Sequence, residues 1–272
     1  GVTMGTPPGK TPKNPTRRGR VAGWSPASTR RNVAFLRSVV PDTLHVTDQG
    51  EFLHGYAFTL TLRDCPPSAD DWHTLRTSFF KRLRRSGMYR LHWVTEWQRR
   101  GVPHLHGCMW STAARAPVDI LDAWTALAWP YGVSDRAQHI APITDPLGWF
   151  KYLAKHAARG VSHYQRAPEN VPAPWKLKTG RVWGYVGSWD RRDALQLGVT
   201  DGTFYRLRRL VRSWRLADAR SAADPYRIRT ARQMLRCGDP VLSEIRGISE
   251  WVDQETMLTL LDLARGTDPV ES

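Results

Sequence analysis

The chain has 272 residues, of which 40 are Lys or Arg and 25 are Asp or Glu, so its net charge is +15. With 41% hydrophobic and 10% aromatic residues the composition is that of a folded protein, and so large an excess of positive charge indicates a polyanionic partner. No apolar run approaches the roughly 20 residues of a membrane-spanning helix, and three widely spaced cysteines exclude a disulfide scaffold, so we expect a cytoplasmic, nucleic-acid-binding protein with no membrane partner.

The N-terminal stretch is strongly basic. Residues 1–41 carry eight Lys and Arg and no acid, and residues 1–32 hold five prolines, which predicts a disordered basic arm over residues 1–41. The stretch from Gly5 to Thr11 resembles a phosphate-binding loop. It has three residues between its glycines where that loop needs four, with no strand before it, so an ATPase is not predicted.

The middle of the chain shows an ordered series of elements. Alternation of Phe58, Leu60 and Leu62 predicts a strand over 57–63, and Ser68 is a good N-cap for the helix that follows. The later elements are a strand over 89–97, a turn at 99–101, a strand over 103–110, a helix over 117–129, a short strand over 139–143 and a helix over 145–159. The order β-α-β-β-α-β predicts an α+β fold with a ferredoxin-like antiparallel sheet flanked by helices, in a domain over 42–200.

The predicted hairpin carries a candidate metal site. His104 and His106 share one face of its second strand, because side chains alternate along a strand. If Arg100 is the midpoint of the turn, Glu96 lies opposite His104. Two imidazoles and a carboxylate predict a divalent metal, Mg²⁺ or Mn²⁺, with a phosphate oxygen completing its shell. The alternative is a pair of structural, half-buried strand histidines.

The helix over 145–159 carries a candidate nucleophile. Tyr152 and Lys155 are neighbours on this helix, outside the apolar stripe that Trp149 and Leu153 mark. Together with the metal site, they suggest a tyrosine hydroxyl that attacks a phosphodiester, with a lysine that holds the phosphate or favours the phenolate. The alternative is that Tyr152 is a packing residue at the edge of the core.

The His104-Leu-His106 motif followed by Tyr152-Leu-Ala-Lys155 resembles the HUH endonuclease superfamily, and within it the rolling-circle replication initiators of small plasmids and single-stranded DNA phages. The resemblance covers about residues 57–190. It implies that His104, His106 and Glu96 are metal ligands. It also implies that Tyr152 is the nucleophile that becomes joined to the 5′ phosphate of nicked DNA, and that Lys155 assists it.

The order of these motifs narrows the class. In relaxases the tyrosine precedes the histidine pair, whereas here Tyr152 follows it, as in initiators and some transposases. Initiators with two active tyrosines repeat the residue one turn later, where this chain has His156, so a single-tyrosine enzyme is expected. The alternatives are an HUH-type transposase or relaxase, and a noncatalytic protein that binds single-stranded nucleic acid.

The stretch 164–189 interleaves aromatic and basic residues. Such a stretch suits bases that stack on aromatic rings while cations contact phosphates, although an aromatic minicore under a long loop explains it equally well. The candidate DNA-binding residues are Arg166, Trp175, Lys176, Lys178, Arg181 and Trp183.

The C-terminal part, residues 201–272, is predicted to be a helical extension that is first basic and then acidic. Residues 203–217 form a basic amphipathic pattern suited to duplex DNA, and residues 239–272 carry eight acids against two arginines. The expected partners are single-stranded DNA and an origin hairpin or duplex. Because no helicase motif is present, we expect a host helicase to unwind the DNA.

Overall fold

The computed structural model describes residues 2–3, 22–144, 163–193, 197–233, 249–250 and 254–266. The chain forms two compact units, one of residues 16–193 and one of residues 1–15 with 194–272. The helix that the sequence predicts over 145–159 lies outside the described residues, and so do Tyr152 and Lys155.

A five-stranded antiparallel sheet forms the centre of the unit 16–193. Its strands are β1 (His54–Thr61), β2 (Met88–Trp97), β3 (Pro103–Ser111), β4 (His139–Pro142) and β5 (Trp183–Gly187). Their order is β4-β1-β3-β2-β5. The first four strands have the order and antiparallel pairing of a ferredoxin-like sheet, so the predicted α+β fold is confirmed. The fifth strand, β5, pairs with β2 at the sheet edge and was not predicted.

Three helices accompany the sheet. They are α1 (Pro26–Ser38), α2 (Ala69–Arg85) and α3 (Ala116–Ala128). Single turns of 3-10 helix lie at Pro41–Thr43, Trp129–Tyr131, Asp135–Ala137, Pro168–Asn170 and Ala173–Trp175. Helix α2 begins at Ser68, which forms a capping box with Asp71, as the sequence predicted for its start. Helices α2 and α3 cover one face of the sheet, where the Trp124 ring meets those of Trp72 and Phe79 edge to face at 6.0 and 5.4 Å.

The predicted disordered arm is wrong for its C-terminal part. Helix α1 begins after Ser25, whose hydroxyl accepts a hydrogen bond from the Ser28 amide, and it buries Phe35 and Leu36. The preceding Trp24 is buried as well. Exposed arginines of α1 give the segment its basic composition, while its apolar residues, spaced for one helix face, pack on the sheet. Average composition therefore masked an amphipathic helix.

The second unit is helical where it is described. Helices α4 (Asp201–Ser221), α5 (Pro225–Gln233) and α6 (Gln254–Arg265) form it, together with a two-residue ladder between Val2–Thr3 and Ser249–Glu250. Helix α6 packs on α4 through Leu207, Val211, Leu261 and Ala264, which confirms the predicted helical extension. In the described parts of the chain, no helix is long and apolar enough to cross a bilayer.

One detail of α4 differs from the predicted basic face. Arg208 was expected to be exposed, but it is 8% exposed. The nearby Arg206 guanidinium donates to the Ala264 carbonyl oxygen at 3.3 Å. Part of the basic stripe therefore serves the contact with α6, because long arginine stems cover apolar surface while their head groups reach polar atoms.

Candidate metal centre

The candidate ligands lie on the sheet face opposite α2 and α3. Glu96 of β2 pairs in register with His104 of β3, as the turn arithmetic predicted. On the other side of β3, Thr59 of β1 pairs with His106. The residues between them in sequence point toward the helices: Thr95, for example, accepts a hydrogen bond from the Trp72 indole of α2. Alternation along two strands thus brings all the ligands to one face.

The ligand atoms of the metal triad, Glu96, His104 and His106, converge. They all lie within 4.8 Å of one another. His104 Nε2 is 3.2 Å from His106 Nε2, and His106 Nε2 is 3.5 Å from Glu96 Oε2. Glu96 and His104 are buried, whereas the His106 side chain retains 26% of its exposure, so the site opens on the His106 side. An approaching phosphate would meet the triad there.

The histidines are suited to act as neutral donors. Burial lowers the pKa of His104 to about 3, with the neighbouring His106 lowering it further and Glu96 opposing the effect, so this imidazole is neutral at pH 7. Thr59 Oγ1 lies 2.9 Å from His106 Nδ1. When His106 Nδ1–H donates to that hydroxyl, the lone pair on Nε2 faces the other ligands, which is the tautomer that binds a metal.

The donor set fits a divalent metal ion. Two facing imidazole nitrogens 3.2 Å apart repel if both present lone pairs, and a cation between them and Glu96 removes that conflict. Two nitrogens and one carboxylate oxygen occupy three positions and leave others for water or phosphate. Among the described residues, this is the one cluster of three or more potential ligands close enough to share an ion.

Two of the predicted DNA-binding residues are buried, which corrects their assignment. Trp175 is fully buried, its indole donates to the Pro66 carbonyl oxygen at 3.1 Å, and it packs near Trp72, so no base can stack on it. Arg166 is 1% exposed and forms an ion pair with Glu96. The aromatic-minicore alternative is thus the right one for Trp175, because this ring fills the space beside α2.

The other four candidates differ in exposure. Lys176 and Arg181 are exposed, and Lys178, also exposed, pairs with Asp70 at 2.8 Å. Trp183 is half-buried on β5, near the Phe35 ring. The Arg181 segment borders the metal end of the sheet, since the Thr95 amide donates to the carbonyl oxygen of residue 182 at 2.7 Å.

Sequence reasoning missed several residues next to the metal triad. Thr59 contacts His106, Gln165 Nε2 lies 3.4 Å from His104 Nε2, and the Trp24 ring lies over the Arg166 guanidinium. A hairpin fixes its own register, but β1 and β3 are joined through a helix and another strand, so their register had no comparable signal. Alternation did place Thr59 on the polar face of its strand.

A ferredoxin-like sheet with a two-histidine, one-carboxylate triad on its open face defines a class of metal-site protein that acts on a phosphate-bearing substrate. Comparison with known proteins makes this particular. The family model for the replication-associated protein known as ORF2 or gene 2 protein matches residues 55–157, a range that contains the metal triad and also Tyr152 and Lys155. No solved structure matches the chain.

Full-length relatives agree with the family match. The chain is 47% identical over 268 residues to the replication-associated gene 2 protein of Pseudomonas phage Pf3, covering 96% of this chain and 93% of the phage protein. It is 50% identical over 250 residues to a protein of Xylella fastidiosa strain 9a5c to which a replication role is attributed, covering 89% and 86% of the two chains. The chain therefore belongs to this ORF2/gene 2 family of replication-associated proteins, and its role is that of a replication initiator.

Proposed function

We propose that this protein is a metal-dependent, HUH-type endonuclease that nicks and rejoins single-stranded origin DNA and so starts rolling-circle replication. The observation that carries the proposal is the convergence of Glu96, His104 and His106 on one sheet face. Membership of a replication family supports the biological role. The position of Tyr152 after the histidine pair, within the family's matched range, supports its assignment as nucleophile.

The proposed reaction is a transesterification at one phosphodiester. The Tyr152 hydroxyl oxygen bonds to phosphorus, the bond from phosphorus to the 3′ oxygen breaks, and the phenol proton ends on that oxygen. The products are a 5′-phosphotyrosine and a free 3′ hydroxyl from which synthesis can begin. Rejoining is the reverse, with a 3′ hydroxyl attacking the phosphotyrosine. Lys155 holds the phosphate or favours the phenolate.

The metal triad would hold Mg²⁺ or Mn²⁺ through His104 Nε2, His106 Nε2 and Glu96 Oε2. A bound ion of this kind polarises a nonbridging phosphate oxygen and stabilises the charge that develops on it. The protein's own contribution is to keep His104 neutral by burial and to leave the His106 side open to DNA. A carboxylate beside the imidazoles favours these harder ions.

The exposed cations Lys176 and Arg181 are proposed to contact DNA phosphates close to the metal centre. Lys178 can join them when DNA replaces Asp70 as its partner. Trp183 offers only part of its ring, so its stacking on a base is a smaller contribution. A host helicase and an origin hairpin or duplex remain the proposed partners.

The test is formation of a covalent adduct. The full chain is incubated with Mn²⁺ and single-stranded oligonucleotides that tile the DNA of its replicon, and a denaturing gel reports protein-linked DNA. We expect an adduct with one oligonucleotide, its loss in Tyr152→Phe, and its loss when His104→Ala removes a ligand. Tyr89→Phe is the matched control, because Tyr89 lies at the far end of β2 and its hydroxyl accepts a hydrogen bond from the Asp48 amide.

Other outcomes separate the alternatives. If the wild-type chain binds single-stranded DNA but forms no adduct with any oligonucleotide, the protein is a noncatalytic binding module. If Tyr152→Phe still forms the adduct, a different residue is the nucleophile. An adduct that forms on the ends of a mobile element, and on no origin, identifies a transposase.

A further inference from the structure

A chain of buried contacts leads from the N-terminal segment to the metal triad. The Arg166 Nε donates to Glu96 Oε1 at 2.7 Å, and their side chains are 1% and 2% exposed. The Trp24 ring lies over the Arg166 guanidinium, 4.0 Å from its central carbon. The Trp24 indole in turn donates to the Thr95 carbonyl oxygen at 2.9 Å, next to Glu96 in the chain. Residues distant in sequence therefore enclose one carboxylate.

The two oxygens of Glu96 have different surroundings. Oε1 accepts the hydrogen bond from Arg166, whereas Oε2 faces His106 Nε2 at 3.5 Å. A glutamate side chain has several rotatable bonds, and holding it in one orientation costs conformational entropy. The ion pair fixes that orientation in the folded protein, so Glu96 presents one oxygen to the two histidines.

The guanidinium is itself held in place. A cation stacked on an indole is attracted by the negative face of the ring, and the attraction is larger where water is excluded. The Trp24 hydrogen bond to the β2 backbone anchors the ring to the strand that carries Glu96. The guanidinium plane is therefore set by the ring, and the carboxylate by the guanidinium.

We propose that Arg166 is a positioning residue of the metal centre, which fixes Glu96 as a one-oxygen ligand, and that Trp24 holds Arg166 in the orientation this requires. The proposal rests on the metal centre of the proposed function and extends it to residues beyond the ligands. Partners that orient a ligand in this way contribute strongly to metal affinity in other proteins.

A simpler role for Arg166 makes the opposite prediction. If the arginine only neutralises a buried carboxylate, its removal leaves an uncompensated negative charge that a divalent cation relieves, so metal binding becomes tighter. If the arginine positions the carboxylate, its removal releases Glu96 from its orientation and metal binding becomes weaker. Both roles predict a loss of stability, because one partner of a buried ion pair is removed. Metal affinity separates them.

The experiment measures Mn²⁺ affinity of the full chain without DNA, from the electron paramagnetic resonance signal of free Mn²⁺. We expect Arg166→Met to weaken binding by about 10- to 100-fold. Trp24→Leu keeps the ion pair and removes the ring over it, so we expect a weakening of a few-fold. Arg90→Met is the matched control: Arg90 is also 1% exposed and lies on β2, but its guanidinium donates to the Thr43 and Val46 carbonyl oxygens.

Unchanged or tighter Mn²⁺ binding by folded Arg166→Met overturns the proposal. Should this variant fail to fold, as judged by near-ultraviolet circular dichroism, Trp24→Leu decides, and an affinity equal to that of Arg90→Met overturns it. A wild-type chain that binds no Mn²⁺ overturns the metal centre and this proposal together. A wild-type chain that binds Mn²⁺ and forms the adduct, beside variants with undiminished affinity, overturns the positioning role alone.

Discussion

The two faces of the central sheet are built from the same strands but differ in chemistry. On the face under α2 and α3, the alternate residues are apolar, and Phe58 and Leu105 are fully buried among aromatic rings. On the opposite face, the same strands carry Thr59, Glu96 and the two histidines of the metal triad, which are hydrogen-bonded or ion-paired. Successive residues of one strand thus face an apolar core and a polar centre.

This difference separates stability from chemistry. Burial of apolar side chains stabilises the fold in proportion to the area removed from water. Burial of a carboxylate and neutral imidazoles opposes folding unless each has a partner, and here the partners are arranged around a ligand site. Substitutions on the helix-covered face should therefore change stability, and those on the metal face should change metal binding. The predictions below test this division.

The largest effect is expected for Phe79→Ala. Phe79 is fully buried on α2, and its ring meets those of Phe58 and Trp124. Its truncation leaves a cavity and should lower the free energy of unfolding by about 3 to 5 kcal/mol, measured by urea denaturation. Phe79→Leu should cost less. The Mn²⁺ affinity of the protein that remains folded should not change, and a parallel loss of affinity would show that the two faces are not independent.

Acid should destabilise the protein through the polar face. Burial lowers the pKa of His92, on that face, to about 3 from its ordinary 6.5. Between these values the unfolded chain binds a proton that the folded chain does not, so stability is complete above pH 6.5 and falls as the pH falls toward 3. From pH 7 to pH 5 this histidine alone should cost about 2 kcal/mol in urea denaturation.

The control for this effect is His92→Gln. A glutamine amide can donate to Asn32 Oδ1, which lies 2.8 Å from His92 Nε2, and it does not titrate. The difference in stability between pH 7 and pH 5 should therefore shrink by about 2 kcal/mol in this variant. An undiminished difference would assign the acid sensitivity to other groups.

A smaller effect is expected at the outer side of the metal triad. Thr59→Val removes the hydroxyl beside His106 Nδ1, which holds the imidazole in its metal-binding tautomer. Mn²⁺ affinity should fall by about tenfold, the lower end for residues that orient a ligand. Thr61→Val is the matched control on the same strand face, because its hydroxyl accepts from Gln98 and contacts none of the three ligands. Equal losses in both variants would contradict the role of Thr59.

The sequence predicted those parts of the molecule that depend on local pattern. Alternation and helical spacing found β1 to β4, α2 and α3, and the hairpin arithmetic placed Glu96 opposite His104 because both strands share one short turn. Contacts made by distant segments had no such signal. Trp24, Arg166 and β5 reach the sheet through tertiary packing, so the composition of their segments suggested an arm and a DNA-binding loop instead.

The smallest expected effect concerns the exposed cations beside the metal centre. If Arg181 contacts one phosphate, Arg181→Gln removes one released counterion, and the slope of log affinity against log salt for single-stranded DNA should become shallower by about 0.7. Arg84→Gln, an exposed arginine on α2, is the control and should leave the slope unchanged. Mn²⁺ affinity should be unaffected in both variants. Because Arg181 lies outside the buried contacts around Glu96, a change in metal affinity would mean that the DNA-binding surface and the metal centre are coupled rather than adjacent.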